Sequence, residues 1–421
     1  MPLQDTPAVP SPCIRQHALT VIARVREGER ANLVRLLEQE QAGVVRDLAR
    51  VGTLHFGRFV VFDRAGGEAA LAFESNYDGD AQTHLQQLVH AIGPSLDRFF
   101  GCCHDYVRGT FPAFAAEHAV APRTYYISHG GLSRDQILHD RQVREAIRAW
   151  LDDQDAAGRL DKTPPRDVAV RLQKHLSNLG LKVGPVDRGL PRQPWAAVPL
   201  FLAVLPAVLA AELVLAAAAV LVYEPADRRA EDASPPIIKS DNDPAVNSLI
   251  DAEDHHPQNG LTHVVPLKPG VFRRTALKVA LYFVEQARRR LYFTGTLGGI
   301  ASIHFARWSL LDDGTLVFFS NYDGSWESYL GDFVDKAHWF LTAIWTNTKW
   351  FPATTALAFR GATQEAAFKQ WARTFQVRNQ IWYSAYPDVS VQNVLDNARI
   401  RELAGRPMRT TRRARRWLEL L

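Results

Sequence analysis

Cysteine is scarce in this 421-residue chain: Cys13, Cys102 and Cys103, with no CxxC pair. That is too few for a disulfide framework and offers no zinc spacing, so a reducing compartment is expected. A charge excess of one sign is also lacking. Lys and Arg number 49 against 45 Asp and Glu, a net charge of +4, so no nucleic-acid partner is expected. The start, MPLQDTPAVPSPCIRQH, has no basic residues followed by an apolar core, so no secretory signal is expected. P-loop, GxGxxG, GxSxG and HExxH motifs are missing, which leaves nucleotide-dependent and common hydrolytic chemistries without support. What is present is an ordinary globular composition, 47% hydrophobic and 22% charged, long enough for two or three domains.

The chain repeats itself. LHFGRFVVF at 54–62 matches IHFARWSLL at 303–311, and ESNYDGD at 74–80 matches FSNYDGS at 319–325. LTVIARVREG at 19–28 matches LTHVVPLKPG at 261–270, and YYISHGGLSRDQIL at 125–138 matches WYSAYPDVSVQNVL at 382–395. Four blocks in one order, with nearly constant spacing, indicate two copies of one domain. Each copy reads strand, helix, strand, strand, helix, strand. In the first, strands at 19–25, 55–62, 69–74 and 124–128 surround helices at 29–41 and 83–100. In the second, helices at 272–291 and 327–345 accompany strands at 304–311, 315–320 and 381–385.

This order resembles the ferredoxin-like βαββαβ unit. Two such units in one chain resemble the dimeric α+β barrel superfamily in fused form, which includes dye-decolourising peroxidases, chlorite dismutase-like haem proteins and antibiotic-type monooxygenases. NYDG is similar to the G-x-x-D-G loop of dye-decolourising peroxidases, with Ser75 and Ser320 near where that pattern has its first Gly. The resemblance implies an α+β protein: two tandem repeats closing an intramolecular barrel, with an apolar helical hairpin inserted between them. The expected divisions are 15–184 and 260–405 for the repeats, 185–223 for the hairpin, 224–259 for a linker and 406–421 for a basic tail.

Trp195–Tyr223 carries one charged residue, Glu212. One continuous helix would run about 43 Å, enough to cross a hydrocarbon core of about 30 Å. A single crossing would put the copies on opposite sides of a bilayer, and Pro199 and Pro206 disfavour an unbroken helix. An interfacial hairpin on the cytoplasmic face is therefore expected; the alternative is a hairpin buried in a soluble core. Lys182, Arg188, Arg192, Arg228 and Arg229 flank it. The C-terminal arginines 409, 412, 413, 415 and 416, beside Trp417, Leu418, Leu420 and Leu421, suit an anionic lipid surface, or else a solvated tail or a nucleic-acid contact. The linker has nine acids against three bases. Asp251, Glu253, Asp254, His255 and His256 there read as solvated rather than as a metal cluster.

Few residues offer chemistry. His55 and His304 match between copies, as do Arg58 and Arg307. The superfamily resemblance implies haem and a peroxidase-like oxidoreductase acting on a small apolar substrate. His304, in the copy richer in aromatics, is then the expected iron ligand, with Trp308 and His55 as cofactor contacts; the alternative is that these histidines and arginines are hydrogen-bonded structural residues at strand starts. Strand alternation puts His304 and Trp308 on one face and Arg307 on the other, so His304 and Arg307 share a pocket only if the strand bulges. Arg307 suits a carboxylate or a developing oxyanion. Asp323, helped by Tyr322, suits a distal acid–base role; the alternative is that SNYDG supplies turn geometry and helix caps. The competing functional class is a non-catalytic membrane-associated protein that binds a lipid or a partner.

Overall fold

The computed structural model describes residues 15–161, 163–188, 214, 217–233, 243–251, 253, 255, 257–290, 297 and 299–421. Two hairpins organise it. Strands β2 (Leu54–Asp63) and β3 (Ala69–Asp78) form one, and β6 (Ile303–Leu310) and β7 (Thr315–Asp323) the other. Their tips turn through Gly67 and Gly314, at φ +84° and +86°, where a side chain would be strained. The tips touch. Arg64 Nε donates to Asp313 Oδ2 at 2.9 Å, its Nη2 pairs with Asp312, and the Ala65 amide donates to Thr315 Oγ1 at 2.8 Å.

Strand β1 (Gln16–Arg24) pairs with β3, and β5 (Gln258–Pro266) pairs with β7. The last strand of each repeat is exchanged. β4 (Thr124–Ile127) pairs with β6 of the second repeat, and β10 (Ile381–Ser384) pairs with β2 of the first. The two four-stranded sheets therefore run β1-β3-β2-β10 and β4-β6-β7-β5, with every pairing antiparallel. The chain leading into each exchanged strand first touches its own repeat. The Ile22 amide donates to His118 O and the Val120 amide to Thr20 O, while the Val377 amide donates to Thr262 O. A two-residue hairpin, β8 (Thr354–Thr355) with β9 (Phe359–Arg360), precedes β10.

One face of each sheet is covered by helices. Helices α1 (Arg30–Leu48) and α2 (Ala81–Phe100) bury Leu33, Leu37, Leu88 and Leu96 against Phe59 and Phe73. The first repeat continues with α3 (Phe111–Glu117), α4 (Arg134–Ala156) and α5 (Pro165–Asn178). A π-turn at Ala219–Tyr223 leads into α6 (Glu224–Ala233), and α7 (Pro244–Ile250) precedes β5. Helices α8 (Val271–Arg290) and α9 (Trp326–Trp345) bury Leu277, Leu281, Phe333 and Trp345 against Trp308 and Phe318. The sheets' other faces pack on each other: Ile22, Val60, Phe62 and Ala72 meet Val264, Val317 and Phe319. Each fully buried side chain of this size contributes roughly 1.5–3 kcal/mol.

Helix α10 (Glu365–Phe375) precedes β10, and α11 (Val391–Ala404) and α12 (Thr411–Leu418) end the chain. The C-terminal segment differs from the sequence expectation. It is a docked helix: Trp417 is fully buried and its Nε1 donates to Ile400 O at 3.1 Å. Leu418, Leu420 and Leu421 pack on the same α4–α5–α11 cluster. The aromatic and the leucines therefore serve the fold, and the arginines face solvent. Among the described residues no helix is long and apolar enough to cross a membrane. Most of Trp195–Tyr223 lies outside the described residues.

Candidate functional site

Both matching histidines sit at strand irregularities. The β2–β3 register shifts between Leu54 and Phe56, and the β6–β7 register between Ile303 and Phe305. An extra residue in one strand reverses the facing of the side chains beyond it. His304 and Arg307 consequently both point between the sheets, while Trp308 turns under the helices onto Phe318 and Trp345. The expectation that His304 and Trp308 share a cavity fails for this reason. Tyr322 also faces the helices, stacked on Tyr329 with ring centroids 3.9 Å apart.

His55 anchors a chain of hydrogen bonds across the molecule. Its Nε2 lies 2.9 Å from Asp78 Oδ1, an ionic contact that is not aligned as a hydrogen bond. Its Nδ1 is 2.8 Å from Tyr386 Oη, which is 3.1 Å from His129 Nε2. His129 Nδ1 is 2.9 Å from Ser128 Oγ. One proton assignment fits these bonds: Ser128 donates to His129, His129 to Tyr386 and Tyr386 to His55, while His55 Nε2 faces Asp78. Burial pushes His129 well below the usual imidazole range, helped by His304 and His55, and pushes the Tyr386 phenol well above its own.

His304 repeats half of this pattern. Its Nε2 donates to Asp323 Oδ1 at 2.8 Å. Asp323 Oδ2 accepts the Val391 amide at the start of α11, as Asp78 Oδ2 accepts the Arg134 amide at the start of α4. The Asp of each SNYDG block thus ties a histidine to a helix N-terminus, where a carboxylate is favoured. The capping expectation also holds: Asp80 caps α2 through the Thr83 amide, and Ser325 caps α9 through the Ser328 amide.

A second cluster lies between the sheets. Arg58 Nε donates to Glu74 Oε2 at 2.7 Å, and Arg307 Nη2 pairs with Glu74 Oε1. Arg58 also donates to Leu261 O, Ser320 O and Asn321 Oδ1 across the interface. Arg307 donates to Leu19 O and Ser75 O. Phe319 lies against both guanidinium groups, at 5.5 and 5.8 Å. Burial pulls the Arg58 guanidinium down, Glu74 pulls it back up, and Arg307 opposes it.

These residues do not form the expected catalytic centre. Asp323 and His304 meet, Arg307 belongs to the Glu74 cluster, and Tyr322 and Trp308 lie in the helical core. Nor do they fit a haem. His304 Nε2 is taken by Asp323, and its Nδ1, which has no hydrogen-bond partner, is boxed in by Phe56, His129 and Tyr386 at ring separations of 5.3–6.1 Å. No open face remains for a flat macrocycle. Among the described residues no three His, Cys, Asp or Glu side chains converge on a metal position. In the linker, Glu253 is an ion-pair anchor: Arg373 Nη1 contacts both its oxygens at 2.9 Å.

An accessible cavity of about 550 Å³ lies where β5 meets β10. Gln258, Asn259, Asn379, Arg378 and Trp382 line it. Its wall reaches both clusters. Gln258 Nε2 lies 3.2 Å from His304 Nε2 and donates to Val389 O, while Trp382 Nε1 donates to Asn321, the acceptor of Arg58. Sequence reasoning missed Glu74, Gln258, His129 and Tyr386 as site residues. Two signals were available: Glu74 is a carboxylate in an apolar strand, and His129 and Tyr386 hold matching positions in the repeat. Compared with known families, curated proteins and solved structures, the chain matches none.

Proposed function

We propose that the protein is a membrane-surface binding protein on the cytoplasmic face, its two ferredoxin-like repeats closed into one intramolecular α+β barrel, and that it is not a haem peroxidase. The observation that carries this reading is the apolar surface where Trp195–Tyr223 joins the folded unit. Val214 is 69%, Leu221 77% and Val222 59% exposed. The opposite side of the same turn is docked: Ala219 is buried against Ala276 and Leu357, and Tyr223 stacks on Phe272 at 3.9 Å. A helix docked by one face normally turns polar residues outward, so an apolar outer face calls for a cover, and lipid suits it. Exposed Val271 and Phe359 lie on the neighbouring α8 and β9.

The barrel reading is supported by the exchanged strands, the joined hairpin tips and the packed inner faces of the two sheets. Tyr125 Oη donates to His17 O at one sheet junction, and Asn379 Nδ2 to Gly260 O at the other. The cavity beside Trp382 is the ligand site of this reading. Its polar walls suit a small polar molecule with one flat face. Of the basic flank, Arg188 and Arg228 are partly engaged by the carbonyls of Gly130 and Thr354, so the cytoplasmic side rests chiefly on Lys182, Arg192 and Arg229.

Vesicle flotation tests the reading. The full chain floats with anionic vesicles, and Val214→Ser, Leu221→Ser and Val222→Ser together abolish flotation. A full chain that stays in the soluble fraction overturns the membrane assignment. A Soret band in the purified protein that is lost in His304→Ala overturns the exclusion of haem.

A further inference from the structure

The arginines near the C-terminus build a concave site. Between α11 and α12 lies a cavity of about 440 Å³ whose polar lining is Arg399, Arg406, Arg412, Arg413, Arg416 and Thr410. Arg399 lies on α11, Arg412 and Arg416 are one turn apart on α12, and the connecting loop supplies Arg406. All five arginines are exposed. Arg406 pairs with Glu402, and Arg413 donates to Pro407 O. Among the described residues Arg399, Arg412 and Arg416 have no ion pair. Arg401, in the same stretch, shows the structural alternative: it is buried and bonded to Asp140 at 2.5 Å.

This arrangement works against the helix that carries it. α12 has no acid in its first turn. Arg412 and Arg413 stand there instead, beside the positive end of the helix dipole. Arg412 and Arg416 are a like-charged i,i+4 pair. The helix is held by Ala414 and Trp417 on its buried side, so packing keeps the arginines converged despite their repulsion. A bound anion would relieve both effects at once.

We infer that this cavity binds a ligand carrying two or more closely spaced phosphate groups. Guanidinium forks match phosphate oxygens in pairs, and the Thr410 side chain together with the first amides of α12 adds neutral hydrogen-bonding capacity. The cavity is a single local basin of about 440 Å³, which suits a small clustered-phosphate group rather than a nucleic-acid duplex, which needs a long stripe of charge. Such a group occurs in soluble polyphosphates and in the headgroup of a doubly anionic phospholipid. The site stands apart from the membrane reading, because its chemistry can be tested with no bilayer present.

Calorimetric titration of the full chain with inorganic pyrophosphate, without lipid, gives saturable binding. Arg412→Ala with Arg416→Ala weakens it about tenfold or more. Arg409→Ala with Arg415→Ala removes the same charge outside the cavity and leaves the affinity within about twofold. Equal weakening in the two double variants, or no saturable binding by the unaltered chain, overturns the proposal. Flotation with cardiolipin vesicles then separates the sources. A deficit confined to Arg412→Ala with Arg416→Ala assigns the lipid headgroup, and unchanged flotation alongside lost pyrophosphate binding assigns a soluble polyphosphate.

Discussion

Glu74 is the residue on which the inner face turns. It neutralises one of two buried guanidinium groups, and its match in the second repeat is Phe319, which lies against both. Glu74→Gln leaves Arg58 and Arg307 facing each other without a counter-charge. A loss of about 3–5 kcal/mol in denaturant unfolding is expected; a loss under about 1 kcal/mol would mean that water already screens the cluster. His84 makes a pH prediction. It bridges Thr53 Oγ1 and Ser75 Oγ, at 2.8 and 2.9 Å, and burial, aided by the charge of His55, lowers its pKa to about 3. The unfolded chain therefore binds this proton first. Stability falls as pH drops from about 6.5 towards 3, by about 1.4 kcal/mol per unit for this group. His129, also lowered, adds to the slope. His84→Gln is less stable at neutral pH but shows a shallower acid limb, and an unchanged limb would contradict the assignment. The repeat alignment made His55 and His304 legible. Their environment was not, because it depends on Tyr386 and Asp78, far apart in the chain.

At the scale of elements, alternation and helical spacing located the repeat elements within a few residues, apart from longer C-terminal extensions of α1, β3 and β7. They missed what breaks the period. An alternation template has no place for a bulge, so it puts Trp308 on the face of His304, whereas the register shift separates the two. Helices α2 and α9 bend at matching positions, Ile92 and Ala337, with φ of −131° and −135°. Only α2 has a proline, Pro94, inside it. The bend is thus set by packing over the sheet in both repeats, and the proline accommodates it. The C-terminal helix was invisible as a docked element because its arginines dominate its composition, and only Ala414 and Trp417 are fully buried in it. Trp417→Ala is expected to cost about 3–5 kcal/mol, or to undock α12 outright. Hydrogen exchange should then show lost protection across 411–418 with α4 and α5 little changed. Full protection would mean that the tryptophan is not what holds the helix.

At the scale of the whole molecule, the repeat implied that two copies share one unit, but not how. Which sheet receives a strand of four residues is decided by long-range pairing, and local sequence carries no mark of it. The exchange of β4 and β10 makes each sheet depend on both repeats, and the Arg64 bridge and the Arg58–Glu74–Arg307 cluster tie them further. The most direct test is a protease site placed within residues 234–242 of the full chain, followed by cleavage and size-exclusion chromatography under native conditions. The two fragments are expected to elute together at the size of the intact chain and to separate only in denaturant. Two folded fragments that elute apart without denaturant would contradict the interleaved unit.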